Sequence, residues 1–262
     1  MTDILVTNDD GIGAPGLLAL KKELESLGSL LVVGPTEEKS WISKGITRFG
    51  KILVKKVKLA DNSEGYSIQG TPVDGTLLGI FKLSGTFPKV VVSGINQGAN
   101  AGNCFIYSSG TVGVAIEAAM VGIPAIATSM VVPQIEQRYK EEDFRSAARI
   151  TKKLVQRILK FGLPAGVDLL ILNIPADATE QTEIVVTEIA RIHYGCVLEE
   201  SAQKNEFGFI KNFKSAKGAN FTLKEGTDAH AVFVQHKISI TPVNINITGN
   251  LGLCKSWMDL EL

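Results

Sequence analysis

Near its N-terminus the chain lays down a short buried strand, a helix and a second strand, and no other feature constrains the fold as much. Ile4 to Thr7 reads as the first strand. Leu17, Leu18, Leu20, Leu24 and Leu27 then recur at helical spacing, from Pro15 near the first turn to Gly28 as the stop. Leu30 to Val33 returns as the second strand. Two strands joined through a helix pair in parallel by a right-handed crossover, and a parallel sheet needs helices on both faces.

The alternation continues. KILVKKVKL, DNSEG and YSIQG read as a β-hairpin with its lysines on a solvated face. Thr71-Pro72-Val73-Asp74 opens a helix through Phe81, KVVVSG is a third core strand, and SGTVGVAIEAAMVG is a helix ended by Gly122. PAIATSM is a further strand, residues 141 to 161 an amphipathic helix, and Asp168 to Asn173 a strand. From about Thr182 the pattern turns to hairpins and irregular segments. The expected fold class is α/β: a Rossmann-like, mostly parallel sheet with helices on both faces, plus a smaller C-terminal hairpin-rich part. Residues 1–181 are expected to form the core domain that carries the site, and 182–262 an extended hairpin, oligomerisation and closing region.

Composition narrows the function classes. The 262 residues, 45% hydrophobic, are enough to bury a sizeable core. Lys plus Arg and Asp plus Glu number 27 each, so no net field favours a nucleic-acid polymer or an anionic membrane. There is no run of about 18 apolar residues, and the first strand starts without a basic flank or signal-like stretch, so the expected location is cytoplasmic. Cys104, Cys196 and Cys254 lack the spacing of a disulfide framework or zinc site, and His193, His230 and His236 lack ligand spacing.

In an open parallel sheet, ligands collect outside the carboxyl ends of the strands. Three polar loops fall there: Asn8, Asp9 and Asp10; GPTEEKSWISKGIT; and GINQGANAGNCFIYSSGT. Two adjacent carboxylates about 4 Å apart repel by roughly 4 kcal/mol at an effective dielectric near 20. One aspartate could serve as a helix cap. Two of them, with amide and hydroxyl oxygens from the other loops, form the all-oxygen set that magnesium or manganese prefers. Gly11, Gly13 and Gly16 also match G-x-G-x-x-G, which makes a dinucleotide-binding oxidoreductase the rival reading. Against it, the second strand closes as Val33-Gly34-Pro35 with no acidic residue for a ribose, and the aspartates would face the pyrophosphate. A tight strand-to-helix turn accounts for the glycines without a cofactor.

NDDGI at 8–12, the Ser40-to-Thr47 spacing in KSWISKGIT, GTPVD at 70–74, SGINQGAN at 93–100, SGTVG at 109–113 and GTDAHAVFVQHKISITPVN at 226–244 resemble the SurE family. These are stationary-phase survival proteins, metal-dependent nucleotidases, and the resemblance runs nearly end to end. It implies one divalent ion, magnesium or manganese, on Asp9, Asp10, Ser40 and Asn96, with Ser109, Gly110 and Thr111 lining the phosphate site. It also implies hydrolysis of nucleoside 5′- and 3′-monophosphates, with short polyphosphate as a further substrate. Metal-activated water would attack phosphorus in line, with Asp9 and Asp10 as the catalytic pair; one of the two, Asp9 by preference with Asp10 as the alternative, would orient that water or accept its proton. The alternative on the same scaffold is a non-catalytic nucleotide or metal sensor.

Two departures from the family pattern stand out. Trp41 follows Ser40 where the family usually has glycine, and YSSGT lengthens the next loop by one residue, leaving Ser108 and Ser109 as alternatives for facing phosphate. Trp41 can stack on a base or pack the loop, and packing is the expected role.

From Thr182 to Phe213 the chain reads as a two-strand excursion, TEIVVTEIARIHYGC and FGFIKNF. A lone hairpin is marginal in water. Ile184, Val186, Ile189, Ile192, Phe207, Phe209 and Phe213 therefore need a covering surface. They can fold back on their own domain; the family resemblance implies instead an arm reaching to a second subunit, hence a homodimer or a higher homo-oligomer.

Overall fold

A computed structural model describes residues 2–133, 137–201, 205–210, 216–248 and 258. Strands β1 (Ile4–Thr7) and β2 (Leu30–Pro35) flank helix α1 (Pro15–Leu24), as the leucine spacing requires. The hairpin β3 (Leu53–Lys58) and β4 (Glu64–Gln69) follows, and β4 adds in parallel to β2. Helix α2 (Pro72–Leu78) starts at a reciprocal cap: the Thr71 hydroxyl accepts the Asp74 N–H, and the Asp74 carboxylate accepts the Thr71 N–H. It widens into a looser turn over Gly79–Leu83. Next come β5 (Val90–Gln97), α3 (Asn103–Ser108), α4 (Gly110–Met120), β6 (Ala125–Val131), α5 (Arg145–Phe161) and β7 (Leu169–Pro175). The chain continues through β8 (Ile184–Val186), β9 (Leu198–Glu200), β10 (Phe207–Phe209), α6 (Asp228–Phe233) and β11 (Ile238–Val243).

The main sheet runs β3-β4-β2-β1-β5-β6-β7-β11-β8, with β3–β4 and β7–β11 as its antiparallel pairs. Successive side chains on β1 point to opposite faces. Ile4 and Val6 join α1 and α5 in one core, while Leu5 joins Ile80 and α4 in the other. The sheet is thus covered on both sides, which is why its central strands are continuously apolar. Each fully buried leucine or isoleucine there contributes about 1.5–3 kcal/mol.

Among the described residues no helix is long and apolar enough to cross a membrane.

The segment beyond residue 181 departs from the pairing expected of it. Among the described residues β8 does not pair with Phe207–Phe209 of FGFIKNF. It lies parallel to β11, with Ile238, Ser239 and Ile240 opposite Ile184, Val185 and Val186. β11 in turn lies antiparallel to β7. The hairpin is instead β9 with β10, where Leu198 faces Phe209. The open backbone edge of β11 gave Ile184–Val186 a partner within the sheet, and the hairpin formed from the shorter runs that remained. Ile192 is buried against Ala101, Ala190 and Ala229, whereas Ile184, Val186, Phe207 and Phe209 are exposed. Phe213 and Cys254 lie outside the described residues.

Candidate active site

The strand order reverses between β1 and β5, since β2 lies on one side of β1 and the chain returns on the other. Such switch points open a crevice at the strands' carboxyl ends. Here β1 delivers Asn8, Asp9 and Asp10, and β5 delivers Asn96. The register between β5 and β6 shifts between Ser93 and Asn96, a bulge of the kind that re-aims a side chain at a strand end.

The glycines fit the turn. Gly11 sits at φ +109°, which favours glycine, and a Cβ on Gly16 would run into the Ile95 carbonyl oxygen, so α1 rests directly on the β5 backbone. Asn8 Nδ2 donates to the Gly11 carbonyl at 2.9 Å, closing the turn that presents the two aspartates.

Asp9 is 3% exposed and Asp10 is half-buried. The Thr111 hydroxyl donates to Asp9 Oδ1 and also lies 3.4 Å from Asn96 Oδ1. Asn96 Nδ2 donates to the Gly98 carbonyl at 2.8 Å, which leaves its oxygen as the end near Thr111 and Asp9. Burial pushes the Asp9 carboxyl above its ordinary value, opposed by the Thr111 hydroxyl and reinforced by Glu38. Burial and then the charge of Asp9 push Asp10 well above its ordinary value, with Glu38 adding to the effect. The two carboxylates are therefore poorly compensated by the protein alone.

Helix α4 starts against this pair. Ser109 caps it, its Oγ accepting the Val112 N–H at 3.1 Å. A Cβ on Gly110 would lie 2.8 Å from both Cβ and Oδ2 of Asp9, so only glycine lets the carboxylate approach the positive end of the helix this closely. Of the two serines left open by the sequence, Ser108 donates its hydroxyl hydrogen to the Cys104 carbonyl at 2.8 Å. Ser109 uses its oxygen in the cap, and among the described residues its hydroxyl hydrogen has no acceptor.

The loop after β2 folds over the same crevice. The Lys39 N–H donates to the Asp9 carbonyl and the Ser43 N–H to the Ser108 carbonyl, at 2.8 and 2.9 Å. Lys44 pairs with Glu117 of α4, and a Cβ on Gly113 would lie 2.6 Å from the Ser43 carbonyl oxygen. This clamp brings Ser40 to the cleft, where its Oγ donates to Glu38 Oε1 at 2.5 Å. Trp41 and Ser43 of the loop both have positive φ, +61° and +54°. For a bulky residue such as Trp41 that conformation costs about 1–3 kcal/mol and persists only where the surrounding structure holds it.

A cleft of about 500 Å³ gathers these parts: Asp9, Asp10, Ser40, Asn96 and Ser109 all line it, and Gly110 and Thr111 adjoin through Asp9. Its donors toward a cation are all oxygens, two of them carboxylates. Among the described residues no three His, Cys, Asp or Glu side chains form a metal-holding group, so a cation here would depend on Ser40 and Asn96 for neutral ligands. That composition suits magnesium or manganese better than zinc.

A family model described as "Survival protein SurE" matches residues 4–196. The chain belongs to the SurE family. It is 38% identical over 257 residues to a protein of Methanothrix thermoacetophila named 5′-nucleotidase SurE, covering 96% of each chain. It is 35% identical over 259 residues to one of the same name from Methanobrevibacter smithii, covering 97% of this chain and 98% of the relative. The fold is similar to the crystal structure of the SurE protein from Aquifex aeolicus, with a TM-score of 0.76 at 30% identity over 97% of each chain.

Against this SurE frame, two cleft residues had no role in the sequence reading. Glu38 acts on both aspartates, and its only sequence signal is an acidic pair just before Ser40. Phe105 lines the cleft beside Trp41 and carries no signal at all, because its position depends on the short helix α3.

Proposed function

We propose that this SurE-family chain is a divalent-metal-dependent nucleotidase that hydrolyses nucleoside 5′-monophosphates, and 3′-monophosphates at the same site, to nucleoside and phosphate. The observation that carries the reading is the approach of Asp9 to the start of α4, inside a cleft shared with Asp10, Ser40 and Asn96. The names of the relatives supply the substrate class. Short polyphosphate offers a terminal phosphoryl group without a base and is a further substrate on this reading.

Asp9, Asp10, Ser40 and Asn96 would hold one magnesium or manganese ion. Bound there, it offsets the aspartates' repulsion, polarises a phosphate oxygen and lowers the pKa of water. The chain's own groups do the rest. Ser109, Gly110 and Thr111 present a hydroxyl and backbone N–H groups to the phosphate oxygens, fixed before substrate arrives. Thr111 holds the Asp9 carboxylate in place. One aspartate, Asp9 on the sequence reading, orients the attacking water and takes its proton. The new P–O bond forms as the ester P–O bond breaks, and the nucleoside oxygen leaves with a proton.

Phosphate release from nucleoside monophosphates in magnesium or manganese tests the reading. Steady turnover supports it. Nucleotide binding with no phosphate released would make the protein a sensor. We also propose that the region from residue 182 onward serves assembly, covering the exposed Ile184, Val186, Phe207 and Phe209 against a second copy.

A further inference from the structure

The cleft has two chemically different ends. One is polar, formed by the aspartates and the start of α4. The other is aromatic: Trp41 and Phe105 line the same cavity. At about 500 Å³ the cleft falls in the size range of sites for whole small molecules, well beyond the needs of a phosphate group alone.

Trp41 is held by neighbouring rings. Its ring meets Phe105, Tyr194 and Phe209 edge to face, with centroids 6.1, 5.5 and 5.0 Å apart and ring planes 65–67° from one another. Edge-to-face contacts of this kind hold a ring without covering it completely, and Trp41 stays 42% exposed. Its left-handed backbone, at φ +61°, belongs to a loop clamped to α3 and α4 through Ser43 and Lys44. A large ring held in a disfavoured conformation, braced by Phe105, Tyr194 and Phe209 and lining the cleft, is a preorganised platform for a planar ligand.

We infer that Trp41, with Phe105, forms the base-binding wall of the cleft and determines specificity for phosphomonoesters that carry an aromatic base; this rests on the nucleotidase reading. The phosphate goes to the start of α4 and the nucleobase to the tryptophan. Tyr194 and Phe209 brace Trp41 from the segment after residue 182, so that segment supports the wall as well.

The test compares adenosine 5′-monophosphate with ribose 5-phosphate, which carries the same phosphoryl group and no base. Trp41→Gly suits the positive φ and removes the ring; Trp41→Phe keeps a ring. The ratio of kcat/KM for the nucleotide over the sugar phosphate should fall about 10-fold in Trp41→Gly, within the range for loss of a base–aromatic stack, and should be largely kept in Trp41→Phe. A ratio unchanged in Trp41→Gly would overturn the inference and leave the nucleotidase reading standing. If neither ester is hydrolysed, that reading fails, and a second measurement decides the wall by itself. In a Trp257→Phe background Trp41 is the only tryptophan. Adenosine should then quench its fluorescence saturably, and an emission indifferent to adenosine counts against the wall.

Discussion

Gly110 sets how closely Asp9 can lie against α4. Gly110→Ala places a methyl group 2.8 Å from the Asp9 side chain, so either the carboxylate or the helix start must move. Overpacking of this kind costs about 1–3 kcal/mol. Phosphate release should fall much further than stability, and thermal unfolding beside a turnover assay separates the two. Asp9→Asn and Asp10→Asn each remove a charge from the pair at nearly constant volume. The fold should persist and turnover collapse, while the protein without metal gains thermal stability and the stabilisation on adding manganese shrinks. Wild-type turnover at low metal in either variant would remove that residue from the site. That Asp9, Asp10 and Ser109 meet in the cleft was legible in the sequence, because NDDG follows directly from the end of a strand and SGT opens a helix. Glu38 was not, since its influence on the aspartates arises only when the Lys39 N–H ties the loop to the Asp9 carbonyl.

Elements with a strong period were read correctly, and short ones were missed for a physical reason. α1 and α5 declare themselves by leucine and isoleucine spacing and by Gly28 and Gly162 beyond their ends. α3 and α6, six residues each, are too short to show a period. α6 depends on tertiary bonds: the buried Asp228 carboxylate accepts the N–H groups of Gly102, Ala190 and Ala229 at 2.7–2.8 Å. On α1, the buried Lys21 amine pairs with Asp61 and Glu25. Burial pulls that amine down, but the two carboxylates raise it above its ordinary value. Lys21, with help from Ser63, holds the Asp61 carboxyl below its ordinary 3.8. A depressed carboxyl adds stability above its unfolded value, and that stability is lost as pH falls through the folded value. Lys21→Met should therefore weaken the protein at neutral pH and flatten the loss of stability below pH 3.8, as read from urea unfolding across the acid range.

At the scale of the whole molecule, the α/β class and the placement of the site at the strands' carboxyl ends both follow from the opening strand-helix-strand unit. The far edge of the sheet did not, because β11 and β8 find partners across many residues of intervening chain and carry no local sign of it. That edge leaves Val186 75% exposed, and the β9–β10 hairpin exposes Phe207. Apolar surface of this kind suits exchange between two copies. Light scattering should give at least a dimer at micromolar concentration, and replacing residues 198–209 with a short Gly-Ser turn should lower the mass; a wild-type monomer would contradict the assembly proposal and leave the metal-site proposal standing. If the aspartate pair works through a divalent cation, as proposed, chelation must silence the protein. Phosphate release from a nucleoside 5′-monophosphate should stop when the metal is stripped and return on adding manganese or magnesium, whereas full turnover by metal-free protein would remove the cation from the reaction.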